Sequence, residues 1–322
     1  MIGVLLLNLG GPDTISAVRP FLYNLFSDRD IIRLGPAFMQ KPLAHMISTL
    51  RHKKTESYYN LIGGKSPILD ITNAQAAALE INLNAQAASG PRFRVFTGMR
   101  YWHPMTEEVV PKIYGEGIRK VLALTLYPHY SVATTGSSVS KLKEVISAFP
   151  IEVFPVTEWY DHPLYIAALV EKIKKGMGLF TDSADVHLLF SAHSLPEKFI
   201  EDGDPYVDHI SSTIREIAGR IDIAYDLSYQ SKSGPVKWLT PSTDEMIHKL
   251  AGGGIKNLLV VPISFVSDHI ETLYEIDIQY NQMAEKLGMH LKRTESLNTS
   301  PLFISALADI ALDGARKAAW TE

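Results

Sequence analysis

The 322-residue chain has a formal net charge of −4 at pH 7 and a pI near 6.3, which argues against the basic face that nucleic-acid binding needs. At 46% hydrophobic and 20% charged, it is expected to fold as a soluble protein with a substantial core, in one large domain or two lobes. It has no cysteine, so disulfides, thiolate-held iron–sulfur clusters and cysteine-based zinc sites are excluded, and any metal must be met by His, carboxylate or other oxygen ligands.

The opening "MIGVLLLNLGG" has no basic n-region or small-residue cleavage site, and its apolar run is too short to span a bilayer. It reads as the first strand of a cytoplasmic protein. Further apolar runs of strand length follow: "RVFTG", "KVLALTLY", "IEVFPV", "VHLLFSA", "AYDLSYQ", "NLLVVPIS" and "HLKRTES". Between and after them lie segments of helical period, "ITNAQAAALEINLNA", "SKLKEVISAF", "PLYIAALVEKIKKGM" and "PLFISALADIALDGARKAA". Strands covered by helices on both faces read this way, so the fold class is α/β with mainly parallel sheets flanked by helices.

The chain repeats itself. "YWHPMTEEVVPKIYGEGIRKVLAL" from Tyr101 aligns without gaps on "WLTPSTDEMIHKLAGGGIKNLLVV" from Trp238, a constant offset of 137 (238 − 101). Pro104, Thr106, Glu108, Gly115 and Gly117 fall on Pro241, Thr243, Glu245, Gly252 and Gly254. Each copy reads as a turn, a Thr-x-Glu helix start, a glycine stop and a buried strand, which predicts two similarly built lobes. The first carries an insertion within about 28–66, apolar and then basic at Arg51, His52, Lys53 and Lys54. It fits a flat apolar ligand bearing carboxylates, an anionic membrane surface, or a plain helical hairpin on the core.

Polar clusters follow the predicted strands, where open α/β sheets bind ligands: "LNLGGPD", "GMRYWHP", "LYPHYSVATTGSS", "SAHSLPEK", "YQSKSGPVKWL" and "FVSDHIETLYEID". Gly10-Gly11-Pro12 lacks the spacing of a dinucleotide fingerprint, and "TTGSS" is at most a small anion nest. His193 stands at the end of a buried strand, as a structural or a catalytic histidine. Asp268-x-x-Glu271 fits a capping box, and Glu271 with Glu275 fits either a solvated face or an acid pair. Asp277 lies over one and a half turns beyond Glu271 and is expected to look away. His269 and Glu271 would point about 200° apart on one helix, which disfavours a closed metal cage. Set beside Glu271, with Glu275 one turn behind, His193 reads better as part of an acceptor pair with a carboxylate chain that carries protons away.

Together with "YNLIGGKSPI", these stretches resemble the ferrochelatases, which insert Fe²⁺ into a porphyrin at the end of haem synthesis, and the resemblance runs nearly end to end. It implies two Rossmann-like lobes with a porphyrin cleft between them, over 1–155 and 156–296, and a C-terminal helix in 297–322 packing back across the lobes. It implies that His193 and Glu271 face the macrocycle centre and meet the metal, with Asp268, His269 and Glu275 as supporting or proton-conducting groups. Arg100 and Tyr101 match residues near the metal approach, Trp238 an aromatic wall, and Tyr130 a further porphyrin contact. Arg51, Lys54, Tyr59, Ser66 and Ser231 match positions near the propionates or the mouth. Phe21, Leu22, Leu25, Phe26 and Ile31 match a lip that would cover the ring and touch a membrane.

Leu9 stands where some relatives have Met, so no thioether meets the metal there. The resemblance does not extend to a Cys-bearing tail, so no iron–sulfur cluster and no other resident cofactor is expected, Fe²⁺ being a substrate. Protoporphyrin IX is the favoured porphyrin. Coproporphyrin III, another divalent ion and a non-enzymatic haem or tetrapyrrole carrier are the alternatives. The resemblance leaves oligomeric state open, with localisation cytoplasmic or peripheral at a membrane.

Overall fold

Each of the eight apolar runs becomes a strand in the computed structural model, which describes residues 1–86, 90–181, 185–234 and 236–321. β1 (Ile2–Asn8), β2 (Phe93–Met99), β3 (Lys120–Thr125) and β4 (Glu152–Val156) form one parallel sheet in the order β2-β1-β3-β4. β5 (Val186–His193), β6 (Tyr225–Gln230), β7 (Asn257–Pro262) and β8 (His290–Arg293) form a second in the order β6-β5-β7-β8. In each, the first strand of the unit lies inside the sheet. β1 is buried at every residue, which is why it reads as an unbroken apolar run.

The chain divides into two compact units, Met1–Trp159 with the segment from Asn298 onward, and Tyr160–Leu297. The division therefore falls at 159/160 and 297/298, a few residues beyond 155/156 and at nearly the predicted second boundary. The helix Pro301–Lys317 groups with the first unit, packing on the helix Ile68–Gln86 and on β3 and β4. Gly314 permits that approach, since a Cβ there would lie 3.1 Å from both Leu122 and Val156.

The repeat is visible in individual hydrogen bonds. Met99 and Tyr229 donate their N–H groups to Pro104 and Pro241, and the peptide bonds before both prolines are cis. Glu108 and Glu245 accept from the backbone N–H groups of Met105 and Ser242, at 2.7 and 2.8 Å. Those two residues are the N-caps. Thr106 and Thr243, expected at the helix starts, are their first helical residues, and both are buried. At the other end Gly117 and Gly254 take φ of +79° and +89°, which a Cβ disfavours, and the next residues close back onto Ile113 and Leu250.

The inserted stretch is mostly the helix Gln40–Leu61, packed on the helix Val18–Ser27. Phe21 and Leu22 are buried. Leu25, Phe26 and Ile31 are half-buried. The apolar side chains this region exposes are Phe38, Met46, Leu50 and Leu61.

Candidate active site

In the second unit, β5 delivers His193 at its carboxyl end. The backbone N–H of His193 donates to Ser264 Oγ at 2.9 Å, and its carbonyl accepts from Tyr206 Oη at 3.0 Å, so the residue is anchored on both sides. Its Nδ1 lies 2.9 Å from Glu271 Oε2, and His269 Nε2 lies 3.7 Å from the same oxygen. The side chains of His193 and Glu271 keep 34% and 22% exposure, so the pair is reachable. The Phe265 ring sits 6.2 Å from His193 and 4.4 Å from His269, an apolar spacer between the two imidazoles.

Glu271 opens a ten-residue π-helix, Glu271–Tyr280, at whose end Asn281 N–H reaches back five residues to Ile276. Such segments are rare and occur often at functional sites. Each turn takes more than four residues, so residues four apart share a face. Thr272, Ile276 and Tyr280 form the buried stripe, and Glu271 and Glu275 run beside it.

Glu275 is held from three sides. Ser231 donates its backbone N–H to Oε1 at 2.9 Å and its hydroxyl to Oε2, and Tyr280 Oη donates to Oε1 at 2.8 Å. Ser231 takes φ of +68° to aim both donors at one carboxylate, an uncommon conformation for a residue with a Cβ. Gln230 ties Glu275 to the start of the helix, its amide donating to the backbone carbonyl of Glu271 at 3.1 Å and to Glu275 Oε2 at 3.4 Å.

These contacts set the proton affinities. Loss of water pushes the His193 imidazole down, but the charge and hydrogen bond of Glu271, and then Glu275, outweigh it and hold His193 above its ordinary value. Burial pushes Glu271 up, and His193 and His269 more than reverse that, leaving it far below the usual carboxylate range. Burial and the charge of Glu271 raise Glu275 despite its donors. The two acids thus part in affinity: Glu271 stays an anion while Glu275 takes a proton more readily.

Two expectations need correcting. Glu271 does not close a capping box with Asp268. Thr272 does that work, accepting from His269 N–H at 3.1 Å and donating to Asp268 Oδ1 at 3.3 Å, because Glu271 is turned to His193. Nor does Asp268 join a proton exit from Glu271: its carboxylate pairs with Arg293 at 3.0 Å and accepts from Ser296 at 2.7 Å. Asp277, six residues past Glu271, meets the same Arg293 through two 2.8 Å bonds. Among the described residues no group of three His, Asp or Glu side chains is arranged to hold a metal ion.

In the first unit, Arg100 and Tyr101 follow β2 and converge on Asp28, which sequence reasoning missed. Arg100 Nη2 and Tyr101 Oη donate to Asp28 Oδ2 at 2.7 and 2.6 Å. Tyr101 is fully buried, and burial raises its phenol well above the ordinary range, so it serves as a neutral donor. Tyr59 and Ser66 are buried too. Ser66 lies so close to Gly11 that a Cβ on the glycine would fall 2.5 Å from its hydroxyl. Arg51 and Lys54 are exposed, stacked over the Phe26 and Tyr58 rings. Tyr130, Leu9 and Trp238 are half-buried, Trp238 bridging to Pro196.

A family profile described as Ferrochelatase matches residues 1–315. The chain belongs to the ferrochelatase family. The ferrochelatase of Geotalea uraniireducens is 57% identical over 311 residues, spanning 95% of this chain and 96% of that protein. That of Geobacter metallireducens is 55% identical over the same shares. Among solved structures, SirB from Bacillus subtilis with Fe³⁺ covers 98% of this chain and 96% of its own, with a TM-score of 0.58 and 12% identity. At that identity SirB speaks for the fold alone, the two-lobed chelatase fold, while the ferrochelatase relatives make this chain a metal-chelating enzyme.

Proposed function

We propose that the protein inserts Fe²⁺ into protoporphyrin IX, releasing two protons and forming protohaem, and that His193 and Glu271 are the groups that do it. The observation carrying this reading is the 2.9 Å contact between His193 Nδ1 and Glu271 Oε2 at the carboxyl end of β5. With Nδ1 bonded to the carboxylate, neutral His193 presents Nε2 as an acceptor for a pyrrole proton. Glu271 stabilises the imidazolium that forms. Glu275, raised in affinity and one turn behind Glu271, is the next station, which frees His193 to take the second pyrrole proton. Glu271 retains the second charge needed to receive a dication.

Porphyrin binding draws on the apolar groups beside this centre, and no resident cofactor is needed, Fe²⁺ being consumed as substrate. Anaerobic assays with Fe²⁺ and either protoporphyrin IX or coproporphyrin III test the proposal. Faster haem formation from protoporphyrin supports it, a preference for coproporphyrin transfers the reading to that substrate, and binding without insertion by either replaces enzyme with carrier.

A peripheral contact with anionic membrane belongs to the same reading. Phe38 and Leu50 are 78% and 74% exposed, and Lys41, Arg51, Lys53 and Lys54 stand exposed along the same segment. Among the described residues no helix is long and apolar enough to cross a membrane.

A further inference from the structure

Asp28 gathers four donors. Arg100 Nη2, Tyr101 Oη and Ser137 Oγ all reach Oδ2, and the backbone N–H of Asp30 reaches Oδ1 at 2.9 Å. Arg100 Nε also donates to Ser137 Oγ at 2.8 Å, so guanidinium, hydroxyl and carboxylate form a closed ring. The side chains of Asp28 and Arg100 are only 7% and 16% exposed. Burial pushes the Asp28 carboxyl up, but Ser137, Tyr101 and Arg100 overcome it and hold it below its usual range, as an anion.

The two units differ at this point. Met99 and Tyr229 are equivalent, each donating its N–H to the proline of its turn, so the next residues, Arg100 and Gln230, are equivalent as well. The second unit ends its edge strand on a neutral amide. In the first, a guanidinium that cannot lose its charge follows directly on the last strand residue, Met99. Both stand at the carboxyl ends of parallel strands, where this class of fold receives ligands. An uncancelled cation there repels a dication, the more so because it is poorly hydrated.

We infer that Asp28 is a positioning residue whose carboxylate cancels the charge of Arg100 at the carboxyl end of the first sheet, so that this end admits the divalent metal substrate. The inference rests on the metal-inserting function proposed above. Ser137 and Tyr101 keep the carboxylate in register with the guanidinium, and a neutral side chain of the same shape would leave the arginine in place with its charge exposed.

The full-length Asp28→Asn protein tests this, with KM measured separately for the metal and for the porphyrin. The metal KM is expected to rise roughly five- to tenfold, the porphyrin KM to move less than about twofold, and the metal effect to shrink as added salt screens it. The double variant Asp28→Asn with Arg100→Gln is expected to recover most of the metal KM, because it removes the exposed charge. Equal rises in both KM values, or a double variant no better than Asp28→Asn, would overturn the inference. Should Asp28→Asn fail to fold, Arg100→Gln alone decides: an unchanged or lower metal KM supports the inference and a higher one defeats it. A wild-type protein that inserts no metal would fail the proposed function instead.

Discussion

Leu9 and His193 occupy the same station in the two sheets. Gly3 of β1 lies opposite Val121 of β3, and His187 of β5 lies opposite Leu258 of β7. The repeat superposes Val121 on Leu258, and six residues past Gly3 and His187 come Leu9 and His193. By the same offset Thr134 falls on Glu271 and Ser138 on Glu275. The backbone is built twice, but only the second unit carries ionisable side chains at these positions.

That asymmetry predicts different outcomes at equivalent positions. His193→Ala should lower kcat by about 10²–10⁴-fold, the usual worth of a general base, while porphyrin still quenches protein fluorescence. Leu9→Ala should leave the acid limb of the pH profile where it is, whatever it does to the rate. An active His193→Ala protein would remove the histidine from the mechanism.

Glu271→Gln should move the acid limb of kcat/KM to lower pH. In the native protein Glu271 holds His193 above its ordinary value, so the neutral acceptor is lost as pH falls through a raised value. With the carboxylate gone, water loss dominates and the imidazole stays neutral further into acid. A pH–rate profile of the residual activity checks the direction, and a limb displaced to higher pH contradicts it. Glu275→Gln should slow turnover less than Glu271→Gln, since it removes the second station and not the partner of His193.

Arg293→Met should act on stability before activity. The arginine side chain is 9% exposed and is shared by Asp268 and Asp277, so its loss strands two carboxylates. A buried pair broken on one side typically costs about 3–5 kcal/mol; with Asp277 partly in water the expected loss is about 2–4 kcal/mol, read from urea unfolding. Asp268→Asn should follow the same pattern, losing stability while the pH profile keeps its shape.

Replacing Phe38, Met46 and Leu50 together with Ser should abolish sedimentation with anionic vesicles while leaving thermal stability within a degree or two, because these side chains are exposed. Retained binding would move the contact elsewhere or to the cations alone, which high salt would reveal.

The strands and the repeat were legible because their physics is local. An apolar run buried on both faces cannot be disguised, and Gly117 and Gly254 mark helix ends that only a left-handed residue completes. His193 and Glu271 were legible as neighbours because both follow strands of one sheet. What escaped was partner choice. Asp28 meets Arg100 across 72 residues, and Arg293 comes from an edge strand to claim Asp268 from the proton path. Apolar patterning likewise could not tell that Phe21 and Leu22 are buried, since a side chain that covers a ligand and one that packs a helix have the same chemistry. The π-helix was hidden too, because its residues also fit an α-helical reading.

The π-helix makes winding a functional variable in its own right. Tyr280 lies five residues past Glu275, and it stands about one turn on, within reach of that carboxylate, only while the turn holds its extra residue. Relaxation to ordinary winding over the same number of residues would swing Tyr280 off that face without altering either side chain. The site is therefore vulnerable to changes in winding as well as in chemistry.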